Sequence, residues 1–387
     1  MKIEYLASSR LPSTAANAVQ VMRMCQAWGR LGHRVTLHVG CSEEPTSSSD
    51  PYAFYGVDPV FALVSHQERG SVLGRLRARL PWVKLGPLPR IATGAAIARA
   101  WSVAPDLLYA RHVWWLVGAH LHRPDVPFAL ELHAPPANTQ TRMAVGWLLR
   151  RPACRGVVLI SRALELEIGR LYPHSRRHVA PDGADDPAQS LPIERRSASH
   201  DLTVGYVGHL YPGKGGELIV QLASLCPRIR FELVGGTDSD IGRLAGSVPV
   251  RENLHFAGHK PPSQLADYYR RFDVLLAPYE RRVAVHGGGG DVARWMSPLK
   301  VFEYMSWGKP ILASDLPVLR EVLENERTAI LLEPSDVGAW RSALEGLARD
   351  PARRERLGCS AREAFLARHT WSARASSLVS QLLGASA

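Results

Sequence analysis

Two stretches in the second half of the chain hold residue types suited to gripping a phosphorylated ligand. The first is Tyr206–Glu217, YVGHLYPGKGGE. Its apolar run ends at Gly208, a turn with Pro212, Gly213, Lys214 and Gly215 follows, and a helix is expected to start near Glu217. Free backbone N–H groups at a helix start attract anions, and Lys214 adds a point charge beside them. The Walker pattern GxxxxGK[ST] does not fit here. The second stretch is Ser297–Pro310, SPLKVFEYMSWGKP. Pro298 suits the first turn of a helix. Glu303 then falls on the second turn, where a carboxylate can accept two vicinal hydroxyls, the usual device for holding a ribose. Ahead of it, Gly287–Gly290 lie in a long loop with Arg281, Arg282 and His286, which reads as a loop closing over a substrate. In the first half, His133 ends the run FALEL. One histidine among fifteen means little by itself, and its position at a strand end is what singles it out.

These residues need a scaffold, and the hydrophobic pattern supplies one. Ile3–Ala7 reads as a strand, residues 15–31 as a helix with Val19, Met22, Cys25 and Trp28 on one face, Gly32 as its C-cap, and Arg34–Val39 as a second strand. Strand-like runs recur at Asp106–Ala110, Phe128–Leu132 and Gly156–Ser161, the last leading into a helix at Ala163–Leu171. After a Pro, Asp, Ser and Arg-rich stretch the rhythm restarts at Leu202–Val207, Arg230–Val234, Asn253–Phe256, Val274–Ala277 and Ile311–Ala313. Helices are expected at Glu217–Ser224, Gln264–Arg270 and Pro298–Trp307. The fold class is therefore α/β, with two Rossmann-like, doubly wound parallel-sheet domains facing across a cleft. The expected division is 1–185, a linker at 186–200, a second domain at 201–370, and a C-terminal helix at 371–387 crossing back to the first.

The order GHLYPGKGG, NLHFAGHKPPSQLADYYRRFDVLLAPY, SPLKVFEYMSWGKPILASDLPVLREVL closely resembles retaining glycosyltransferases of the GT-B fold, specifically glycosyltransferase family four, the group 1 glycosyltransferases. RLGHRVTLHVG, LELHAPP, GVVLISRALELEI and VAPDGADD add to the likeness, which covers nearly the whole chain. It implies transfer of a hexose from a nucleoside diphosphate sugar to an acceptor hydroxyl with retained anomeric configuration. Uridine is the default base, and the acceptor is a glycan, a lipid-linked glycan or a small natural product. The resemblance also implies roles. Gly208, His209 and Lys214 match the loop contacting the donor diphosphate, with His209 where the family usually has arginine. Backbone amides around Ser297–Leu299, at the turn through Pro298, would face phosphate and sugar. His259 and Lys260 match the segment lining the base, and Glu303 the second acid of the Glu-x7-Glu pattern, which holds the ribose. The first acid is replaced by Trp295, which makes this an SPLK-type variant. His133 matches the histidine approaching the donor sugar, and Ser13 or Asn17, in the loop Leu11–Asn17, would contact phosphate or acceptor.

No metal is expected: no His/Cys/Asp cluster shows ligand spacing, and no other cofactor is needed. Rival readings are a sugar-nucleotide epimerase or phosphorylase on the same fold, or a non-catalytic sugar or nucleic-acid binder. No zinc pattern or aromatic RNA-binding signature supports nucleic acid.

The net charge is +11, and 22 Lys+Arg against 14 Asp+Glu place +8 of it in residues 1–190. Residues 69–105 hold Arg69, Arg75, Arg77, Arg79, Lys84, Arg90 and Arg99 and no acid, interleaved with Leu73, Leu76, Leu80, Trp82, Val83 and Leu85. That is the pattern of an interfacial segment, so contact with an anionic membrane or anionic acceptor is expected. Five scattered cysteines without a CxxC pair fit reduced thiols. Glu4 interrupts the first apolar run, so no signal peptide is expected, nor any transmembrane helix. The expected location is the cytoplasm of a bacterium, peripheral on the inner face of the membrane.

Overall fold

The computed structural model describes residues 1–13, 15–40, 50–66, 86–189, 202–246, 252–261, 264–284 and 291–384. Thr14, Cys41, the interfacial residues Leu73–Leu85, the bulk of the expected linker, His286 and Gly287–Gly290 lie outside that set. The chain forms two compact units, Met1–Ala180 with Arg374–Ala387, and Pro181–Ala373.

Unit 1 runs β1 (Lys2–Arg10), α1 (Ala16–Arg30), β2 (Arg34–Gly40), α2 (Pro51–Tyr55), β3 (Ala62–His66), α3 (Leu88–Arg99), β4 (Leu107–Ala110), α4 (Val113–His122), β5 (Phe128–Leu132), α5 (Thr139–Leu149), β6 (Cys154–Leu159), α6 (Arg162–Leu171) and β7 (Arg177–Val179). Its sheet has the order β3-β2-β1-β4-β5-β6-β7 and is parallel throughout. The central strands β4 and β5 are buried at every residue, as a sheet covered on both faces requires. Local chemistry fixes the ends. The Ser161 hydroxyl accepts from the Leu164 N–H to start α6, and Gly32 takes φ 83° just past α1.

Unit 2 runs a 3-10 turn (Pro187–Gln189), β8 (Thr203–Val207), α7 (Gly216–Leu225), β9 (Arg230–Val234), α8 (Asp238–Ala245), β10 (Leu254–Gly258), α9 (Leu265–Arg271), β11 (Val274–Ala277), α10 (Leu299–Ser306), β12 (Ile311–Ser314), β13 (Ile330–Leu332), α11 (Val337–Arg349) and α12 (Pro351–Arg368). Its parallel sheet has the order β10-β9-β8-β11-β12-β13. Helix α13 (Trp371–Leu383) starts in unit 2, and from Arg374 it packs with unit 1. Each strand order reverses once, between β1 and β4 and between β8 and β11. Ligands of such sheets bind at the carboxyl ends of the strands flanking that reversal.

Some boundaries differ from the sequence reading. Residues 181–185 belong to unit 2, because Ala184 exchanges backbone hydrogen bonds with His369 and Trp371, and Asp186 pairs with Arg362 at 2.7 Å. The strand expected at Asn253–Phe256 runs Leu254–Gly258. Strands β3, β7 and β13 were not anticipated: β7 and β13 have three residues each, and β3 is mostly exposed along the sheet edge. Within the basic stretch, α3 is a packed helix. A Cβ on Gly94 would lie 2.0 Å from the Trp115 carbonyl oxygen and one on Gly118 1.9 Å from that of Ile91, so α3 and α4 meet backbone to backbone. Among the described residues no helix is long and apolar enough to cross a membrane, and Cys25, Cys154 and Cys226 are free thiols.

Candidate active site

In unit 2 the loop after β8 and the start of α10 come together at the strand-order reversal. Gly208 follows β8 directly with φ 144° and donates to the Val234 carbonyl at 2.9 Å. Beyond it, Gly213 and Gly215 take φ 87° and 80°. A Cβ at Gly215 would stand 1.8 Å from the Pro278 carbonyl oxygen, so only glycine lets this loop lie against the residues following β11. α10 is pinned to the same strand tip. The Tyr304 hydroxyl accepts from the Val207 N–H at 2.9 Å and donates to the Val207 carbonyl at 3.3 Å.

Two ammonium groups converge there. Lys214 Nζ lies 5.1 Å from the ring centre of Tyr211 and 5.0 Å from that of Tyr279. Lys300 Nζ lies 3.7 Å over the Tyr206 ring and 5.1 Å from Tyr279. Burial lowers the Lys214 pKa to about 8. Burial, and next Lys214, push that of Lys300 well below its ordinary value, with Glu303 partly offsetting them. The Lys300 ammonium is buried and has no hydrogen-bond acceptor among the described residues. Glu303 accepts from the Tyr269 hydroxyl at 2.9 Å, and the Tyr269 ring is stacked on Trp307 at 5.3 Å.

Gly208, Lys214, Leu299 and Glu303 thus belong to one neighbourhood. The Ser297 hydroxyl accepts from the Asp182 N–H at 2.8 Å, fixing the entry to α10, and Pro298 is the N-cap. The His209 ring is stacked on Tyr211 at 5.3 Å, and its carbonyl accepts from the Tyr206 hydroxyl. His259 and Lys260 follow the edge strand β10, two strands from β8, with His259 exposed. Trp295 lies beside the Arg294 guanidinium at 5.1 Å. Of the loop arginines, Arg281 pairs with Glu333.

In unit 1, His133 joins a buried network. Glu131 is 1% exposed and accepts from Gln20 Nε2 at 2.9 Å, from His133 Nε2 at 2.5 Å and from the Tyr109 hydroxyl. The Arg374 guanidinium of α13 stands 3.4 Å from the same carboxylate. Gln20 Oε1 accepts from Arg111 at 2.5 Å. Burial pushes the Glu131 carboxyl up, but Arg374, His133 and Arg111 outweigh it and hold the acid well below the usual range. Glu131 therefore stays ionised and fixes Nε2 of His133 as the donor, leaving Nδ1 as that ring's other polar atom. Ser13 is held by Tyr55, whose hydroxyl accepts from the Ser13 N–H at 2.7 Å and donates to its carbonyl at 2.8 Å. The Asn17 carbonyl accepts from the Ser9 hydroxyl at 3.5 Å.

Lys300, Tyr279, Glu131, Gln20 and Arg374 were not singled out from the sequence. Local signals mark two of them: Lys300, a cation in the first turn of a helix where cations are disfavoured, and Glu131, a glutamate within an apolar strand. The unit 2 arrangement offers buried positive charge, helix-start amides and a carboxylate, which suits a ligand carrying both a diphosphate and a diol.

Residues 201–350 match the family described as Glycosyl transferases group 1. A D-inositol 3-phosphate glycosyltransferase of Nocardia farcinica is 27% identical over 225 residues, 53% of this chain and 46% of that protein. A GDP-mannose-dependent alpha-(1-6)-phosphatidylinositol monomannoside mannosyltransferase of Mycolicibacterium smegmatis is 26% identical over 208 residues, 52% of this chain and 53% of that one. The chain spans about half the length of these curated relatives. The crystal structure of Anabaena Alr3699/HepE in complex with UDP-glucose aligns over 99% of both chains with TM-score 0.68 and 17% identity. Sucrose-phosphate synthase from Thermosynechococcus elongatus aligns over 100% of both with TM-score 0.68 and 21% identity. The fold is GT-B.

Proposed function

We propose that the chain is a group 1 glycosyltransferase, the family its residues 201–350 match, and that it transfers a hexosyl group from a nucleoside diphosphate sugar to an acceptor hydroxyl with retained anomeric configuration. The observation that carries this reading is the pair of desolvated lysine ammoniums, Lys214 and Lys300, that share the Tyr279 ring at the β8/β11 reversal, with Glu303 near Lys300. In the reaction the bond from the anomeric carbon to the diphosphate oxygen breaks, the acceptor oxygen bonds to that carbon, and the acceptor's proton leaves with the diphosphate. The leaving group gains negative charge, which preorganised cations and amides stabilise most in the transition state. Lys214 and the first-turn amides of α10 supply that, and Glu303 takes the ribose hydroxyls. His133, set by Glu131, meets the donor sugar; Ser13 and Asn17 meet phosphate or acceptor; His259 and Lys260 line the base.

The donor is proposed to be a uridine diphosphate sugar. A similar fold bears UDP-glucose in Anabaena HepE, while a mycobacterial relative is named for GDP-mannose. A thermal-shift and hydrolysis screen across uridine, guanosine and adenosine diphosphate sugars tests this. Stabilisation and turnover by the uridine series alone is expected, and turnover of none of them would end the transferase reading. The basic stretch 69–105 is proposed to hold the protein on anionic lipid at the cytoplasmic membrane face; flotation with neutral vesicles as well as anionic ones would remove that attribution.

A further inference from the structure

We infer that Lys300 is a diphosphate-binding residue, acting with Lys214 as a two-ammonium clamp on the departing group. This rests on the transferase reading for the identity of the ligand, but the clamp is argued from the protein's own electrostatics.

Lys300 violates three local preferences at once. It puts a cation in the first turn of α10, where the helix dipole favours anions. Its ammonium is shielded from solvent with no hydrogen-bond acceptor, although three donors sit on that nitrogen. It also shares the surroundings of Tyr279 with a second ammonium, that of Lys214. Its closest ring contact among the described residues is Tyr206 at 3.7 Å. A cation–π contact is worth less than the cost of stripping water from an ammonium, so the ring does not account for the placement. Glu303 is the neighbouring carboxylate and favours the charged lysine, but burial and Lys214 outweigh it, and it accepts from the Tyr269 hydroxyl. Local rules broken together in this way mark function rather than stability.

The surroundings say which ligand resolves the conflict. Gly208 lies close against the ammonium: a Cβ there would stand 3.0 Å from Lys300 Nζ and 3.1 Å from Cε. The shielded cation therefore lies directly under the backbone of the β8 tip, beside the loop that carries Lys214. A monoanion would balance one ammonium; a diphosphate, with at least two negative charges on adjacent phosphoryl groups, balances both. The pair selects for a polyanionic diphosphate over an uncharged nucleoside, and leaves the base and the sugar to other residues.

The test is calorimetric titration of wild type and Lys300→Met with inorganic pyrophosphate, UDP and uridine, alongside thermal unfolding. Removing a buried, unpaired charge is expected to leave the unfolding midpoint unchanged or raise it, an outcome a structural role would not give. Pyrophosphate and UDP affinity should fall about tenfold to a hundredfold, as loss of a charge-assisted contact does, with uridine affinity unchanged. Should Lys300→Met not fold, Lys300→Gln takes its place. Equal pyrophosphate affinity in wild type and variant would overturn the inference, as would equal weakening of UDP and uridine, or a wild type that does not bind pyrophosphate. If pyrophosphate binding depends on Lys300 but no nucleotide sugar is turned over, the clamp stands and the transferase reading falls.

Discussion

Arg374 offers the sharpest test of how unit 1 holds its histidine. Replacing it with Met keeps the bulk of the side chain and removes the charge. Glu131 is then a buried carboxylate without its guanidinium partner, since the Arg374 side chain is 3% exposed and that of Glu131 0%. Breaking one side of a buried pair costs ~3–5 kcal/mol. Gln20, Tyr109 and His133 still donate to the carboxylate, so the low end, about 3 kcal/mol, applies. For a domain of this size that lowers Tm by roughly 6–12 °C. Adding Glu131→Gln to Arg374→Met removes the orphaned charge and should restore most of the loss. The pH dependence follows from the sign of the shift. The Glu131 carboxyl is held below its ordinary 4.5, so its contribution is full above 4.5 and drains away as pH falls towards the lowered value. In Arg374→Met burial acts without that counter-charge, the acid protonates more readily, and the gap between the two proteins should narrow as pH drops. Thermal unfolding by circular dichroism from pH 3.5 to 8 reads all of this. A single variant within 2 °C of wild type at pH 7, or a double variant no better than the single, would refute the pairing argument.

Four further outcomes are expected. Lys214→Ala should lower kcat/KM for donor by about a hundredfold to a thousandfold with folding intact, and a loss under tenfold would exclude Lys214 from charge stabilisation. Because the Lys214 pKa is lowered to about 8, its positive charge is lost as pH rises through that value, so wild-type kcat/KM for donor should decline above pH 8. A profile flat from pH 7 to 9.5 would contradict it. Gly215→Ala places a methyl on the Pro278 carbonyl at φ 80° and should destabilise unit 2 by about 1–3 kcal/mol in urea unfolding. Finally, the proposed scheme uses no metal, so transfer should persist at full rate in excess EDTA; a loss restored by one divalent cation would require a different mechanism.

The alternation of short apolar runs with helical periodicity disclosed both parallel sheets, because strands covered on two faces need continuous apolar side chains. The glycine loop and SPLKVFEYMSWGKP were legible because backbone turns and a helix start impose residue types locally. The remainder depends on distance along the chain. Glu131 reads as a polar interruption of FALEL until Gln20, 111 positions away, and Arg374 are placed beside it. Glu4 likewise reads only as a break in an apolar run, whereas it is 3% exposed and bonded to His38 at 2.7 Å. Lys300 stood in plain view within a quoted motif; its meaning came from the absence of an acceptor, which only packing reveals.

The division of the chain carries a consequence for synthesis. Unit 1 is interrupted between Ala180 and Arg374 by the whole of unit 2. During translation at ~5–20 residues per second, the ribosome spends roughly 10–40 s on the intervening residues before it makes Arg374. For that interval Glu131 has no guanidinium to meet, and Trp28 lacks the Ala375 carbonyl that its indole N–H bonds at 3.3 Å. The nascent first domain therefore stays unfinished while the second can close, and a chain stopped at Ala373 would carry a complete second sheet and a first domain awaiting its last helix.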